Sequence, residues 1–542
     1  MITFGYYGPT LNPSPDMLLK LLDYRGDLGI DIETVSLVDR TPICLAMAIS
    51  PREAFYFPID SPMLPWQKLL DPGIRKVFHN ASFDVTILER SKGTRVENYV
   101  DTIVAAHILG LPPKLTMLAE ILSLPIPPNI EDLIGQRGQK QLRMVDVPEE
   151  NRAEKCARDA EAALAVWEKL EDLIPMEAFN LDMALLPVLG EMEQRGIRVD
   201  VLKLEEHKQR LTKEVGFYKQ IAKGYGFNPG SSMQVAYVLG SRGHPIKYKR
   251  STGKPIMDEE MLTTMYRDDP IAQLVLLYRR SRVLLSTFVE AILNKHLVGD
   301  RIHPHFNLWP RSGRLSTTPN SQNIPVAIRN IYIPSDGNEF EVWDLEQIEL
   351  RVVAYLSQDS AMLQMFANGE DVHEATARDL NVDRGTAKTL NYAILYGGDA
   401  HTLFVRGGIP MDKGKMYLER YFAKFRGIKA WIDETKAGVM QTGYAITMLG
   451  RKRGFPDVQS SNYFKREKAL REAINHPIQG TAAEIQKRSA IAVASYPLVN
   501  IVHDENDFDK PVGMDIPIPL NLAPFETPVE IGRGKNWKDA KS

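Results

Sequence analysis

Apolar residues recur at spacings of three and four through L-D-M-A-L-L-P-V-L-G-E-M-E-Q-R-G from Leu181, the period of a helix with one buried face, and Gly196 then ends it. Upstream, residues 27–110 alternate strand-like apolar runs (G-D-L-G-I-D-I-E-T-V-S-L-V, C-L-A-M-A-I, K-V-F-H-N) with helical segments, which predicts a mixed α/β domain. A helix over Asp159–Leu173 closes that domain, and Pro175 marks a boundary. Beyond Gly196 a mostly helical stretch runs to about Lys295, broken by K-Y-K-R-S-T-G-K at 247–254. Strand alternation returns at Phe340–Trp343 and Leu498–Val502, bracketing a helical block from about 360 to 440. The strands leading to Asp344 and Asp504 are thus 160 positions apart (504 − 344), with helices inserted between them. No internal repeat or low-complexity tract interrupts the pattern.

One helix departs from the usual pattern. Arg384, Lys388, Tyr392 and Tyr396 fall four residues apart, so two cations and two phenols share one face over ~18 Å. Leu390, Ala393 and Ile394 lie off that stripe and can face a core. A polyphosphate carrying a sugar and base suits such a stripe, with cations on the phosphates and a ring against the sugar or base. A solvated cationic edge with two half-packed tyrosines reads equally well from the spacing alone.

Acids cluster in two places. Asp31 and Glu33 in D-I-E-T stand on one face of a strand, where two carboxylates repel unless a cation separates them. Asp84 in H-N-A-S-F-D and Asp159 in C-A-R-D-A-E stand at expected helix starts, where capping is the ordinary role. Together the four could hold two divalent ions for phosphodiester cleavage. In the second half, Asp344 ends the strand F-E-V-W-D, and Asp504 lies in I-V-H-D-E, where apolar residues run into two acids. An acidic turn is the plain reading of each. Aspartates brought together from two strands would instead serve paired magnesium ions and phosphoryl transfer onto a nucleotide.

A chain of 542 residues exceeds one core and predicts several domains, and its 44 % hydrophobic and 25 % charged residues are those of a globular protein. A net charge of −3 excludes a generally basic, sticky protein but leaves local nucleic-acid patches open. Two cysteines, Cys44 and Cys156, exclude a disulfide framework and suit a reducing cytoplasm. The N-terminus has no signal pattern and no apolar run is long enough for a membrane, so the expected location is cytoplasmic.

On these residues the chain resembles DNA polymerase family A, the class of bacterial polymerase I and many phage replicative polymerases. D-L-E-Q-I-E-L-R at 344–351, R-x3-K-x3-Y with Y-G at 384–397, and V-H-D-E at 502–505 look like its three polymerase motifs in order. Similar segments are S-G-R-L-S-T-T-P-N-S-Q-N-I-P at 312–325, D-V-H-E-A-T-A at 371–377 and R-E-A-I-N-H-P-I-Q-G-T-A-A-E at 471–484. The first domain resembles the family's 3′-to-5′ proofreading exonuclease. The fold implied is multidomain α/β and α+β: a ribonuclease-H-like exonuclease, then a right-hand polymerase with an antiparallel palm sheet and helical fingers and thumb. Its expected boundaries are 1–178 for the exonuclease, 179–300 for thumb and connecting helices, 301–360 and 441–542 for palm, and 361–440 for fingers. The amino-terminal 5′ nuclease of some members is expected to be absent, a compact form that suits a phage replication enzyme.

Position by position, the resemblance implies that Asp344 and Asp504 hold two Mg2+ ions, with Glu505 beside them as a catalytic residue. Asp31, Glu33, Asp84 and Asp159 are implied to hold two divalent ions at the exonuclease site. Arg384, Lys388 and His373 would meet the incoming deoxynucleoside triphosphate, with Lys388 neutralising or protonating the leaving group. Tyr392 would lie beside its sugar and base, and Tyr396 near the template. Glu349 would exclude a 2′-hydroxyl, making the product DNA rather than RNA. Arg314, Asn320, Gln322, Asn323, Arg471, Asn475, Gln479 and His503 would contact primer-template DNA, checking pair shape without reading sequence. A monomer is expected, with replication accessory proteins among the partners the family allows and no membrane.

Three departures stand out. The family's Tyr-Ser after the first aspartate is Leu345-Glu346 here, so Glu346 either joins the metal carboxylates or turns to a nearby cation. Cys156, three residues before Asp159, is taken to stand in for the tyrosine that orients the exonuclease water in the family, which implies proofreading that is present but slower. Only 37 residues follow Glu505 (542 − 505), five of them proline, leaving no room for the family's usual helix before its last strand. Tyr392, where many relatives have phenylalanine, implies tolerance of dideoxynucleotides. Lys247, Lys249, Arg250 and Lys254 could follow duplex phosphates or merely solubilise their loop. A nuclease with a DNA-binding body, a single-subunit RNA polymerase and a purely structural DNA-binding protein are the competing readings. Glu349 and the exonuclease acids weigh against the RNA polymerase, and Asp344, Lys388 and Asp504 against the nuclease alone.

Overall fold

The computed structural model describes residues 10–541, apart from 12, 37–38, 94, 137–140 and 250. Arg250 of the 247–254 loop therefore lies outside the described residues. The chain forms two compact units: Met1–Gly190 with Leu308–Arg314 and Thr442–Pro456, and Glu191–Asn307 with Leu315–Gln441 and Asp457–Ser542.

In the first unit six strands form one sheet: β1 (Thr10–Leu11), β2 (Leu28–Thr34), β3 (Pro42–Ser50), β4 (Glu53–Pro58), β5 (Lys76–Phe78) and β6 (Tyr99–Asp101). Their order is β1-β4-β3-β2-β5-β6, antiparallel across β4-β3-β2 and parallel elsewhere. Helix α1 (Ala81–Lys92) follows β5, and the long helix α2 (Glu149–Leu170) lies on the sheet. The buried face of α2 is made of small residues, Ala153, Cys156, Ala157, Ala160 and Ala163, which lets backbone approach backbone. At Gly29 of β2 a Cβ would sit 2.2 Å from the Ala160 carbonyl oxygen, so glycine is required for this contact. The helix starts ten residues before the expected Asp159, because the polar first turns Glu149–Glu154 break the apolar period without breaking the helix. Asp159 is consequently a mid-helix residue, and helix capping cannot account for it.

Two short segments that the motif pattern placed with the palm fold with this first unit instead. Arg451, only 1 % exposed, pairs with Asp182 at 2.9 Å and also meets the His107 ring at 3.2 Å, and the other ring nitrogen of His107 lies 3.2 Å from the Pro310 carbonyl. A buried guanidinium needs such partners, and they join three distant stretches of chain.

The second unit holds a four-stranded antiparallel sheet, β7 (Asn338–Leu345), β8 (Leu498–Val502), β9 (Glu505–Pro511) and β10 (Val529–Gly534), in the order β8-β9-β7-β10. Phe340, Val342, Val499 and Val502 pack its apolar side against Tyr332 and Trp537. Helix α3 (Ile348–Ser357) follows β7 after Gln347, which adopts a left-handed φ of 51°. The helical block contains α4 (Val372–Leu380) and α5 (Arg384–Leu395), and the 30-residue α6 (Tyr463–Ala492) precedes β8. Residues 512–528 are irregular, as their prolines require, and the chain closes with β10 and α7 (Trp537–Ala540).

Candidate functional site

In the four-stranded sheet Asp344 stands directly opposite Glu505, and the Leu345 N–H donates to the Asp504 carbonyl at 3.1 Å. Acids 160 positions apart thus meet at one sheet end. Asp504 occupies the two-residue turn between β8 and β9, where His503 takes a left-handed φ of 56°. Burial, then repulsion from Asp504, pushes Asp344 up to about 6. Glu505 is fully buried: it accepts from the Trp537 indole at 2.8 Å and pairs with Lys541. Lys541 also lies 3.5 Å from Asp344, so one ammonium spans both acids. Strand β7 ends at Leu345, so Glu346 sits in the turn before α3 and not on the strand. Its charge is felt by Arg351, which also donates to its carbonyl at 3.0 Å.

Helix α5 begins where Asp383 caps the Thr386 N–H and ends before Gly397 at φ 64°. Ala387, Leu390, Ala393 and Ile394 are buried, while Arg384 and Lys388 are exposed and Tyr392 and Tyr396 are half-buried. The two phenol rings stand 6.2 Å apart, and the His373 ring lies 5.7 Å from Tyr392. His373 is buried. Its Nδ1 meets the Asn391 amide nitrogen at 2.9 Å, so the amide donates and the imidazole proton sits on Nε2. Burial above all, with Lys388 and Arg384 adding to it against Asp371, holds this histidine near 4 and neutral. Arg384 pairs with Asp371 at 2.6 Å, and Asp371 also caps α4. The Tyr396 hydroxyl donates to Glu349 at 2.5 Å, tying the end of α5 to the first turn of α3.

Arg471, Asn475 and Gln479 follow the same four-residue spacing along α6. A side chain at Gly397 would meet Arg471 at 3.2 Å, so the end of α5 abuts the start of this second stripe. The Asn475 amide oxygen is buried without a partner. Asn320 accepts from the Gln322 and Asn323 N–H groups, and exposed Asn323 completes that turn. Gln322 is buried, its amide donating to the Ile501 carbonyl at 2.8 Å, a bond that fixes the loop to β8. Arg314 belongs to the first unit, and His503 is exposed.

The other cluster is in the first unit. Asp31 and Glu33 alternate on β2 opposite Ala46 and Cys44 of β3, Asp84 is in the first turn of α1, and Asp159 comes from α2. Burial, then mutual repulsion, pushes Asp31 and Asp84 well above the usual carboxylate range, and burial pushes Glu33 up to about 8. Asp31 Oδ2 and Asp159 Oδ1 are buried without partners. Such orphaned oxygens in a crowd of carboxylates fit hard divalent cations. Cys156 is buried and its thiol donates to the Asp31 carbonyl at 3.3 Å, so it faces the strand backbone. A fifth acid, Asp101, escaped the motif reading because it accepts three backbone N–H groups, from Asn80, Ala81 and Ile103, and so organises the start of α1. Lys155 and Lys541, one ammonium at each cluster, were also not legible from spacing.

Residues 201–511 match the model of DNA polymerase family A, and residues 12–175 match a 3′-5′ exonuclease model. The chain is 33 % identical to DNA polymerase I of Chloroflexus aurantiacus over 90 % of its own length and 57 % of that protein. It is 30 % identical to DNA polymerase I of Pseudomonas aeruginosa over 97 % of itself and 65 % of that protein. It thus spans less than two thirds of either relative. Its fold superposes on the POL domain of Pol1 from M. smegmatis, solved in complex with DNA primer-template and dNTP, with a TM-score of 0.81, 26 % identity, 99 % of this chain and 100 % of that one. Among the described residues no helix is long and apolar enough to cross a membrane.

Proposed function

Because the chain belongs to DNA polymerase family A, we propose that it extends a primer 3′-hydroxyl along a DNA template with deoxynucleoside triphosphates, and that its first unit trims mismatched primer ends from the 3′ side. The observation that carries the reading is the meeting of Asp344 and Asp504 at one end of the palm sheet. Two Mg2+ ions held by Asp344 and Asp504, and two divalent ions held by Asp31, Glu33, Asp84 and Asp159, would supply charge neutralisation and an activated oxygen at each site. The enzyme would work as a cytoplasmic monomer, consistent with two buried, unpaired cysteines.

The side chains divide the remaining work. Lys388 and Arg384 present cations on the exposed face of α5, where the triphosphate would bind, and Arg384 would exchange Asp371 for phosphate oxygens. Neutral His373 offers its Nε2–H as a donor without adding charge. Tyr392 supplies a ring for the sugar and base, held at its angle by His373 and Tyr396. Glu349, buried and anchored by the Tyr396 hydroxyl, forms a fixed wall that a 2′-hydroxyl would meet. Asn475 and Gln479, one and two turns beyond Arg471, can donate to the acceptors common to all base pairs in the minor groove.

A primer-extension assay with matched and mismatched 3′ ends, run with deoxy- and ribonucleotides, tests the whole reading. Extension with deoxynucleotides and shortening of the mismatched end are expected; extension with ribonucleotides only, or degradation without extension, would overturn it. Within that assay Glu349→Ala is expected to raise ribonucleotide incorporation relative to deoxynucleotide by roughly a hundredfold, the scale of a lost polar or steric barrier. An unchanged ratio would remove Glu349 from the sugar wall.

The elevated Asp344 also predicts a pH effect. Its carboxyl holds a proton up to about pH 6 in the metal-free protein, and a magnesium ion must displace that proton. The Mg2+ concentration for half-maximal extension is therefore expected to be flat above pH ~7 and to rise by up to about tenfold per unit below pH 6. A midpoint that does not move between pH 5 and 7 would contradict it.

A further inference from the structure

Lys155 stands inside the carboxylate cluster of the first unit. It follows the first turns of α2 and sits one turn before Asp159, a position that on most helices would yield an exposed i,i+4 ion pair. Here the lysine side chain is only 8 % and that of Asp159 only 16 % exposed. Its ammonium pairs with Asp159 Oδ2 and is attracted as well by Asp31 and Glu33, which belong to β2. Burial opposes a charged lysine, yet three acids from two elements outweigh it and keep it protonated. Among the described residues no three carboxylate, imidazole or thiolate groups converge closely enough to grip one ion as they stand. Asp31 Oδ2 and Asp159 Oδ1 face inward unpartnered.

Resting on the exonuclease reading above, we propose that Lys155 is a tethered cation of this site. Its ammonium neutralises Asp159 and attracts Asp31 and Glu33 when no divalent ion is present, and it must swing aside before they can close around one. The lysine is a positioning residue: it holds the acids apart in a charge-balanced resting state and sets the divalent-ion concentration at which trimming begins. The flexible four-carbon stem permits that displacement, whereas a backbone-fixed charge would not. Exclusion from the cluster would carry the ammonium toward solvent, where its hydration offsets the lost pairing.

The test is direct Mn2+ binding, followed by loss of the free-ion paramagnetic resonance signal. It uses the full chain carrying Asp344→Asn and Asp504→Asn, so that the palm does not contribute. Lys155→Met in that background is expected to bind Mn2+ at least about tenfold more tightly, because a competing positive charge within contact distance is gone. Lys155→Arg keeps the charge and is expected to stay near the parent. Without metal the methionine variant should melt at lower temperature, and Mn2+ should raise its melting point more than the parent's. In the otherwise unaltered chain the Mg2+ midpoint for trimming a mismatched primer should move down by the same factor. Equal Mn2+ affinities for the lysine and methionine forms would overturn the proposal while leaving the exonuclease reading intact. If Asp31→Ala changes no Mn2+ binding in either form, the exonuclease reading falls and the proposal with it. Should the methionine form not fold, Lys155→Gln gives the same comparison with a polar side chain.

Discussion

Asp344→Asn is expected to slow primer extension by about three orders of magnitude or more while leaving the shortening of a mismatched primer at its parent rate. The substitution keeps the shape of the side chain and its place at the end of β7, opposite Glu505. It removes a negative charge where the developing phosphoryl charge needs paired cations, and such electrostatic terms amount to several kcal/mol in the barrier, each ~1.4 kcal/mol being tenfold. It also relieves repulsion: burial and Asp504 already disfavour the ionised Asp344, so the metal-free variant should be no less stable than the parent. Lys541 remains paired with Glu505, which keeps the C-terminal helix seated against the palm. Separate primer-extension and trimming measurements on one preparation check it. Extension within tenfold of the parent would mean that the meeting of Asp344 with Asp504 is not the polymerising centre.

The parts of this arrangement that follow a local period were legible before the fold was known. The stripe on α5 is one, since helix geometry alone puts Arg384, Lys388, Tyr392 and Tyr396 on a face and sends Leu390, Ala393 and Ile394 inward. Asp31 and Glu33 are another, as period two on a strand leaves no choice of face. Legibility fails where a residue's role depends on what a distant element brings to it. Lys155 reads as one more surface lysine in E-K-C-A-R-D until Gly29 lets α2 settle on β2 and buries it among acids from the strand. Lys541 and Trp537 gain meaning only because α7 folds back onto β7 and β10, from where both reach Glu505 of β9, which needs partners. Gln322 looked like a polar side chain available to DNA, yet Ile501, 179 positions away, takes its amide. The Asp159 helix start failed for a simpler reason: charged residues Glu149–Glu154 hid a helix that tertiary packing extends.

The exonuclease site supports the other large effect. With magnesium, Asp31→Ala is expected to abolish trimming of a mismatched primer, by about a thousandfold or to background, and to leave extension from a matched end unchanged. Asp31 is the strand residue on which the cluster centres: it repels Asp84, is repelled by Asp159 and Glu33, and has one oxygen buried without a partner. Removing it deletes a ligand from any paired-ion arrangement, and the chemistry there depends on that charge to activate water and steady the leaving oxygen. The parent rate itself should be slow. The residue four before Asp159, where Tyr-x3-Asp would place its phenol, is Lys155, and Cys156 beside it turns its thiol to the Asp31 carbonyl, so no phenol is available there to orient the water. The same substitution carries a stability signature independent of nuclease activity. A carboxyl whose folded pKa is raised stays protonated in the fold after it has ionised in the unfolded chain, so metal-free stability falls as pH rises from the ordinary carboxylate range toward the value near 8 reached by Glu33. Asp31→Ala removes one such group and relieves its neighbours. Melting curves without metal should therefore fall less steeply between pH 4 and 8 for the variant than for the parent. Equal trimming rates for parent and variant would remove these four acids from phosphodiester cleavage, and parallel melting curves would show that their crowding is already balanced by Lys155.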